Sequence, residues 1–158
     1  MKKIVSVIMG LTLSIILSVS SVMAGTEDLG KVVDGSELTN KISAEDVQYA
    51  LVRGNLLNQG SARVSNLGGG VINAYGGAFC SVTCDKVMLK ITVQRYSGGS
   101  WYNVESFDDT AYNTATLTRS YNLSVSSGYY YRVKAACMAQ KNGVSESKVS
   151  TTDGIWIG

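Results

Sequence analysis

The chain has 158 residues, about the length of one domain, with 14 Lys and Arg against 12 Asp and Glu, 17 Gly, 3 Cys, no Pro and no His. Without histidine it cannot form a Ser-His-Asp triad, a Cys-His pair or a His-ligated zinc site. The near balance of charge leaves no basic footprint, so neither nucleic acid nor an anionic membrane surface is an expected partner. No cofactor is indicated.

The N-terminus has the pattern of a secretory signal peptide over residues 1 to 24. Lys2 and Lys3 precede an apolar stretch, and Ala24 ends a sequence that resembles a cleavage site. The alternative is an uncleaved membrane anchor, because residues 4 to 24 are just long enough to cross a bilayer core of roughly 30 Å. Serines dilute the apolar run and favour cleavage, which predicts a protein released outside the cell with no membrane attachment.

An acidic leader follows over residues 25 to 52. Residues 25 to 48 hold six Asp or Glu, two Lys and no aromatic residue. With so little apolar surface to offset its ordering entropy, we expect this leader to be flexible. Ser43-Ala44-Glu45-Asp46 has the pattern of a helix cap, so a short helix at 44 to 52 is an option within it.

The remaining residues, 53 to 158, have the pattern of short strands. Apolar and polar side chains alternate over residues 87 to 93 and 129 to 139, with the apolar ones at odd positions. Residues 115 to 125 alternate in the same way. Weaker strands are expected at residues 61 to 66, 71 to 79, 101 to 106 and 145 to 151.

Glycine-rich sequences mark the turns between these strands. They are Gly68–Gly70, Gly76-Gly77, Ser97–Ser100 and Asn142-Gly143, the last a favoured type I′ hairpin turn. About seven short strands in roughly 100 residues predict an all-β fold, an antiparallel two-sheet sandwich over residues 53 to 158.

Two resemblances support this fold. Residues 128 to 135, followed by Asn142-Gly143, resemble the last two strands of a fibronectin type III domain. This resemblance implies a sandwich of the immunoglobulin or fibronectin III kind. Val125 and Tyr131 are spaced as in its tyrosine corner, in which a buried phenol ties down the crossing between sheets. The resemblance covers residues 86 to 152, and this chain lacks the corner proline and the buried tryptophan upstream.

The chain also resembles a family of small secreted proteins of unknown function from Gram-positive bacteria. The shared features are the signal peptide, the acidic leader, the Tyr-Tyr-Arg-Val strand at residues 130 to 133 and the Thr-Asp-Gly-Ile ending at residues 152 to 155. This resemblance covers residues 50 to 158. It implies secretion and a β-sandwich, and it brings no activity and no catalytic residue.

Three cysteines permit at most one internal disulfide. On an extended chain the Cα atoms of Cys80 and Cys84 would lie about 13 Å apart, so this pair can close only across a bend. We expect a loop there, with Cys80–Cys84 as the disulfide candidate and Cys137 on the buried face of its strand; the other pairings stay open. Three thiols without histidine do not favour a metal site.

Asp108 and Asp109, with Glu105 close by, fall in an expected loop. They could form a calcium site, an acid/base pair or a solvated loop. Neighbouring residues of an extended chain point in opposite directions, which favours the solvated loop. Ser100 and the other hydroxyls have only lysine as a base, so a Ser-Lys hydrolase is a remote alternative.

The nine Tyr and two Trp are the remaining signal. Strand alternation places Tyr130 outward, and exposed aromatic rings are typical of protein and glycan recognition. Trp101, Tyr102 and Tyr130 are therefore the candidate binding residues. The alternative is that these residues are simply good strand formers on half-buried faces.

No catalytic residue is assigned, and the chain is expected not to be an enzyme. The sequence favours a secreted, non-catalytic binding or structural module, with a cell-wall glycan or a surface protein as partner. The alternatives are a secreted toxin-like or antagonistic effector and, more remotely, a hydrolase that uses carboxylates or lysine.

Overall fold

The computed structural model describes residues 34 to 50 and 56 to 158, and this part of the chain is all β. The predicted signal peptide at residues 1 to 24 lies outside the described residues. None of the described residues belongs to a helix long and apolar enough to cross a lipid bilayer. Eight strands are formed within these ranges: β1 (Leu38–Thr39), β2 (Ser43–Tyr49), β3 (Leu57–Gly68), β4 (Val71–Ser97), β5 (Ser100–Ser124), β6 (Tyr129–Lys141), β7 (Val144–Thr151) and β8 (Gly154–Ile157).

These strands belong to one hydrogen-bonded sheet. Its order is β1-β8-β6-β4-β3-β2, with β5 beside β4 and β7 beside β6. The described pairs are antiparallel apart from β1 and β8, which run parallel. The sheet is mixed and curls into a half-barrel around its core.

The all-β class is confirmed, but the strands do not separate clearly into two sheets. The reason is the length of the β4–β5 hairpin, which stays paired from Val71 opposite Ser124 to Ser97 opposite Ser100. Residues 71 to 79 and 87 to 93, predicted as two strands, are therefore parts of β4. In the same way, residues 101 to 106 and 115 to 125 are parts of β5.

β4 changes its partner on one side halfway along its length. Residues 71 to 80 pair with β3 and residues 86 to 95 pair with β6, while β5 stays on the other side. Between the two halves, Phe79 and Cys84 lie opposite Thr116 and Thr114, so residues 80 to 83 bulge out opposite a single residue of β5. We call residues 80 to 83 the β4 bulge. Because bulges bend a strand, the hairpin can curl around its core here.

The two halves of β4 pack against each other across the core. The buried apolar side chains are at even positions from Ile72 to Ala78 and at odd positions from Val87 to Val93. A Cβ added at Gly76 would lie 2.7 Å from the Cγ1 of Ile91 on the opposite half. Gly76 therefore permits this close approach from within a strand. The turn predicted at Gly76-Gly77 is wrong, because both residues lie inside β4.

Alternation within the clearest strands is confirmed. Burial of each large aliphatic side chain contributes about 1.5 to 3 kcal/mol relative to exposure, so these positions account for much of the stability of the core. The predicted core residues that are fully buried are Val87, Leu89, Ile91, Val93, Tyr131, Val133, Ala135, Cys137 and Ala139.

The Asn142-Gly143 turn is also confirmed. Its two residues have φ values of 49° and 80° and connect the paired residues Lys141 and Val144. Positive φ at both central residues is the signature of a type I′ hairpin. The predicted turns at Gly68–Gly70 and Gly98-Gly99 likewise connect consecutive strands, with Gly68 as the last residue of β3, and their glycines have positive φ.

The described part of the acidic leader contains strands. Residues 43 to 49 form β2, which pairs with β3 from Ser43 opposite Ser65 to Tyr49 opposite Gln59. The helix proposed for residues 44 to 52 is wrong at these positions, and residues 38 to 39 and 43 to 49 are not a flexible arm. Pairing with β3 provides hydrogen-bond partners for the backbone N–H and C=O groups of β2. This outweighs the helix-cap pattern of residues 43 to 46.

Asp46 connects β2 to the far side of the sheet. Its carboxylate is buried and accepts hydrogen bonds from the amide of Thr151 on β7 at 2.7 Å and from the Gln48 side chain at 2.8 Å. Burial raises the pKa of Asp46, and the hydrogen bonds to the charged form act against that increase. Asp46 therefore helps to hold the two margins of the curled sheet together.

Replacing Asp46 with Ala should reduce the free energy of unfolding by about 1 to 3 kcal/mol, because the amide of Thr151 would lose its acceptor. Glu45→Ala is the matched control: Glu45 is the exposed neighbour on the same strand, and its loss should change stability by less than about 0.5 kcal/mol. Denaturant unfolding measures both variants. Equal effects of the two substitutions would contradict the assigned role of Asp46.

Candidate functional site

Four aromatic side chains and one arginine lie together on the outer face of the sheet. Tyr96 is opposite Trp101 across β4 and β5, and Tyr130 is opposite Trp156 across β6 and β8. Arg132 shares the outward parity of Tyr130, because the intervening Tyr131 is buried in the core. These residues, Tyr96, Trp101, Tyr130, Arg132 and Trp156, are called the aromatic patch.

Ring contacts fix the geometry of the patch. The centroids of Tyr96 and Trp101 are 5.1 Å apart with the planes at 57°, and those of Tyr130 and Trp156 are 5.0 Å apart at 61°. Such tilted pairs are favourable arrangements of aromatic quadrupoles. The guanidinium carbon of Arg132 lies 4.2 Å from the centroid of Trp101, which links β6 to β5 across the intervening β4.

Arg132 is itself held by hydrogen bonds. Its Nε donates to Oε1 of Gln94 at 2.8 Å, and its Nη1 donates to the carbonyl of Gly35. The Gln94 amide in turn donates to Oδ1 of Asn103 at 2.8 Å. The guanidinium over Trp101 is therefore fixed in position before any ligand arrives.

Acidic groups surround this arginine. Burial lowers the pKa of Arg132, and the carboxylates of Asp153 and Asp34 counteract that decrease. Burial raises the pKa of Asp153, whose Oδ1 accepts from the amide of Glu37 at 3.3 Å. Hydrogen bonds from Ser36 lower the pKa of Asp34. An arginine keeps its charge at neutral pH. The patch therefore combines aromatic rings with one cation whose charge is offset by the carboxylates of Asp153 and Asp34.

Gly154 supports Trp101 from below. A Cβ added to Gly154 would lie 2.7 Å from Cη2 of Trp101 and 3.2 Å from Cδ2 of Leu38. The indole therefore rests directly against the backbone at the start of β8. Any side chain at residue 154 would displace the ring.

The structure brings together two of the three predicted binding residues. Trp101 and Tyr130 are in the aromatic patch, whereas Tyr102 pairs with Arg95, whose other neighbour is the buried Tyr131. Tyr102 therefore projects from the opposite face of β5, where it is 55% exposed. Sequence reasoning missed Tyr96, Arg132 and Trp156 as members of one site. The outward parity of Tyr130 could have indicated Arg132, but only the pairing of distant strands joins it to Trp101.

Tyr131 and Val125, the residues of the predicted tyrosine corner, lie on β6 and in the connection that precedes it. Tyr131 is 1% exposed, and its hydroxyl donates to the carbonyl of Ser126 at 2.8 Å. The amide of Val125, in the same connection between β5 and β6, donates to the carbonyl of Gly70 at 2.8 Å. Burial raises the pKa of Tyr131. These contacts tie the β5–β6 connection to both the core and the β3–β4 turn.

The two adjacent aspartates lie within β5, so the predicted loop at this position is wrong. Asp108 is an exposed ion-pair partner of Lys90 at 3.2 Å. Asp109 accepts from Nε of Arg119 at 2.8 Å and from the hydroxyl of Tyr121. Strand alternation thus directs the two carboxylates to different partners on opposite faces. They do not face a shared substrate or a shared cation.

The cysteines are free thiols in the structure, so the candidate Cys80–Cys84 disulfide is not formed. The loop expected between them is the β4 bulge inside a continuous strand. Within residues 34 to 50 and 56 to 158, no group of three or more Cys, Asp or Glu side chains is arranged to hold a metal ion.

The fold and the patch define a small all-β protein with a half-exposed aromatic site at one end of a curled sheet. The model of a family of unknown function, DUF6147, matches residues 27 to 154, and the chain belongs to this family. No curated protein matches the chain.

Among solved structures, the chain is similar to the sporulation control protein Spo0M from Bacillus subtilis, with 8% identity and a TM-score of 0.30. The match covers 73% of this chain and 49% of that one, so the chain spans about half the length of that structure.

Replacing Tyr131 with Phe should lower the free energy of unfolding by about 1 kcal/mol, because the carbonyl of Ser126 would lose its buried donor. Tyr112→Phe, at a tyrosine that is 66% exposed on β5, is the control and should leave stability unchanged. Thermal unfolding of both variants provides the comparison. A Tyr131→Phe variant as stable as the wild type would show that the hydroxyl has no structural role.

Proposed function

We propose that the protein is a secreted, non-catalytic binding module that holds a cell-wall glycan on the aromatic patch. The observation that carries this proposal is the aromatic patch itself, in which two pairs of packed rings stay in contact with solvent and Arg132 stacks on the Trp101 ring. Sugar rings have apolar faces of C–H groups that pack on such surfaces, while their hydroxyls require hydrogen-bond partners.

The neighbouring side chains supply those partners. Gln94 and Asn103 lie beside Arg132 on the same face, and their amides carry both donors and acceptors. Ligand sites commonly combine apolar surface with a few polar groups that fix orientation. A pyranose stacked on Trp101 would have these polar groups within one strand spacing of its edge, since Asn103 is on the same strand and Gln94 is on the neighbouring strand.

Preorganisation supports binding over a purely structural role. A ring that is already fixed loses little rotational freedom when a ligand packs on it, and this reduces the entropic cost of association. Trp101 is fixed on one side by Arg132 and at its edge by Gly154. Trp156 remains 40% exposed, more than packing alone would require of so large an apolar ring.

Two further features support the other parts of the proposal. The pattern of residues 1 to 24 supports secretion, and the near balance of charge supports a neutral glycan over a polyanion. The contact between Tyr131 and Ser126 supports a fibronectin III-like arrangement of the strands around the β5–β6 connection.

Replacing Trp101 or Trp156 with Ala should weaken binding to isolated cell-wall polysaccharide at least about tenfold, equivalent to about 1.4 kcal/mol of lost stacking. Tyr112→Ala is the control, because Tyr112 is an exposed aromatic residue of β5 outside the aromatic patch. Co-sedimentation and calorimetry with glycan fragments measure the affinity. Circular dichroism confirms that each variant is folded.

Three outcomes would contradict the proposal. The first is retention of wild-type protein that is abolished by protease treatment of the cell wall, which would indicate a surface-protein partner. The second is equal binding by the Trp101→Ala, Trp156→Ala and Tyr112→Ala variants. The third is growth inhibition of neighbouring cells without glycan binding, which would favour an antagonistic effector.

Gly154→Ala tests the patch without changing any of its side chains. The added methyl group should displace Trp101 and weaken glycan binding several-fold. Gly60→Ala is the control, because its Cβ would lie at ordinary contact distances of 3.4 to 3.5 Å from its neighbours, outside the patch. Unchanged binding by the Gly154→Ala variant would show that the position of Trp101 is not important.

A further inference from the structure

We propose that Cys80 and Cys84 form an intramolecular disulfide across the β4 bulge when the protein meets a disulfide-containing oxidant, and that Cys137 remains a buried thiol. This inference goes beyond the proposed glycan binding. It depends on the geometry of the β4 bulge and its immediate surroundings, so its test does not require a known ligand.

The β4 bulge shortens the distance between the two cysteines. Phe79 and Cys84 lie opposite Thr116 and Thr114, which are two residues apart on β5. Two residues of a strand span about 7 Å, whereas five extended residues would span well over twice that distance. Cys80 lies inside this shortened span, which brings its Cα towards the range of about 4.4 to 6.8 Å that disulfides require.

The two thiols are neighbours. The Cys84 side chain lies close enough to Cys80 to raise the pKa of the Cys80 thiol. The Cys84 thiol also donates to the carbonyl of Val82 within the bulge, at 3.4 Å. Formation of an S–S bond therefore requires the sulfurs to approach further but does not require strands to separate.

Contacts with β6 and its following turn hold the bulge in place. Lys141 donates from Nζ to the carbonyl of Thr83, and the amide of Asn142 donates to Oδ2 of Asp85 at 2.8 Å. These two contacts hold the Cys84 end of the segment, and the amide of Ser81, which donates to the carbonyl of Leu56 at 2.8 Å, holds the Cys80 end. A cross-link here connects groups that are already adjacent.

Cys137 is kept apart from this pair. Its thiol is 1% exposed and donates to the carbonyl of Gly77 at 3.2 Å. Burial raises the pKa of Cys137 to about 11, which suppresses the reactive thiolate. A small-molecule oxidant therefore has access to Cys80, which is half-buried, but not to Cys137 or Cys84, which are buried.

The reaction is two thiol–disulfide exchanges. The Cys80 thiolate attacks one sulfur of an external disulfide R–S–S–R, which forms a mixed disulfide and releases R–S⁻. The Cys84 thiolate then attacks the Cys80 sulfur and releases the second R–S⁻. Two protein thiols are oxidised, one external disulfide is reduced to two thiols, and the protons from Cys80 and Cys84 pass to solvent or to the released thiolates.

The surroundings make the first exchange slow at neutral pH. Burial and the neighbouring Cys84 side chain raise the pKa of Cys80 to about 12, and the nearby Glu146 carboxylate and Cys137 add to this increase. Because the thiolate is the attacking species, the oxidation rate should rise about tenfold per pH unit between pH 7 and pH 9.

The test treats the purified, folded protein with oxidised glutathione and follows its mass without reduction. The wild type should lose two hydrogens, and peptide mapping should place the bond between Cys80 and Cys84. The Cys137→Ala variant should behave identically. The Cys84→Ser variant should instead retain one glutathione on Cys80, because the resolving thiol is missing.

Oxidation should also raise the midpoint of thermal unfolding of the wild type by several degrees, with no comparable increase for Cys84→Ser. A bond to Cys137, a disulfide-linked dimer or no loss of hydrogens from the folded wild type would overturn the proposal. Peptide mapping of the wild type gives this answer even if a variant fails to fold.

Discussion

The structure depends on the pairing of β4 with three other strands. Val71 to Ser97 keeps β5 on one side along its length, while the other side is shared between β3 and β6. A straight strand could not direct apolar side chains from both halves into one core. The β4 bulge at residues 80 to 83 supplies the bend and changes the buried parity from even to odd, and Gly76 lets the two halves approach each other.

The sequence indicates the strands around Leu89 and Val133 well, because one face of each is buried and the other is exposed, so the period of two is visible in the side chains. It does not show that residues 71 to 97 are continuous. The bulge breaks the alternation of apolar and polar residues, and in the sequence such a break cannot be distinguished from a loop. β2 is missed for another reason: its polar and acidic residues carry almost no apolar pattern, and pairing with distant strands decides its conformation.

The aromatic patch could be predicted only in part. Trp101 and Tyr130 stand out because of residue type and outward parity, but 29 positions of chain separate them. Contact between Arg132 and Trp101 follows from the placement of β6 and β5 on either side of β4, which local sequence does not specify. Two distant backbone positions complete the site. The carbonyl of Gly35, before β1, holds Arg132, and Gly154, at the start of β8, supports the indole of Trp101.

The same bend therefore determines the core, the position of the cysteine pair and the placement of the aromatic patch. Backbone NMR of the folded protein tests this bend in β4 most directly, through contacts between the Cα protons or amides of paired strands. The account predicts contacts from Ala78 to Leu117, and from Leu89 to both Asp109 and Cys137, within one molecule. Contacts that pair residues 87 to 93 with strands other than β5 and β6, or a helical signature over residues 43 to 49, would contradict it.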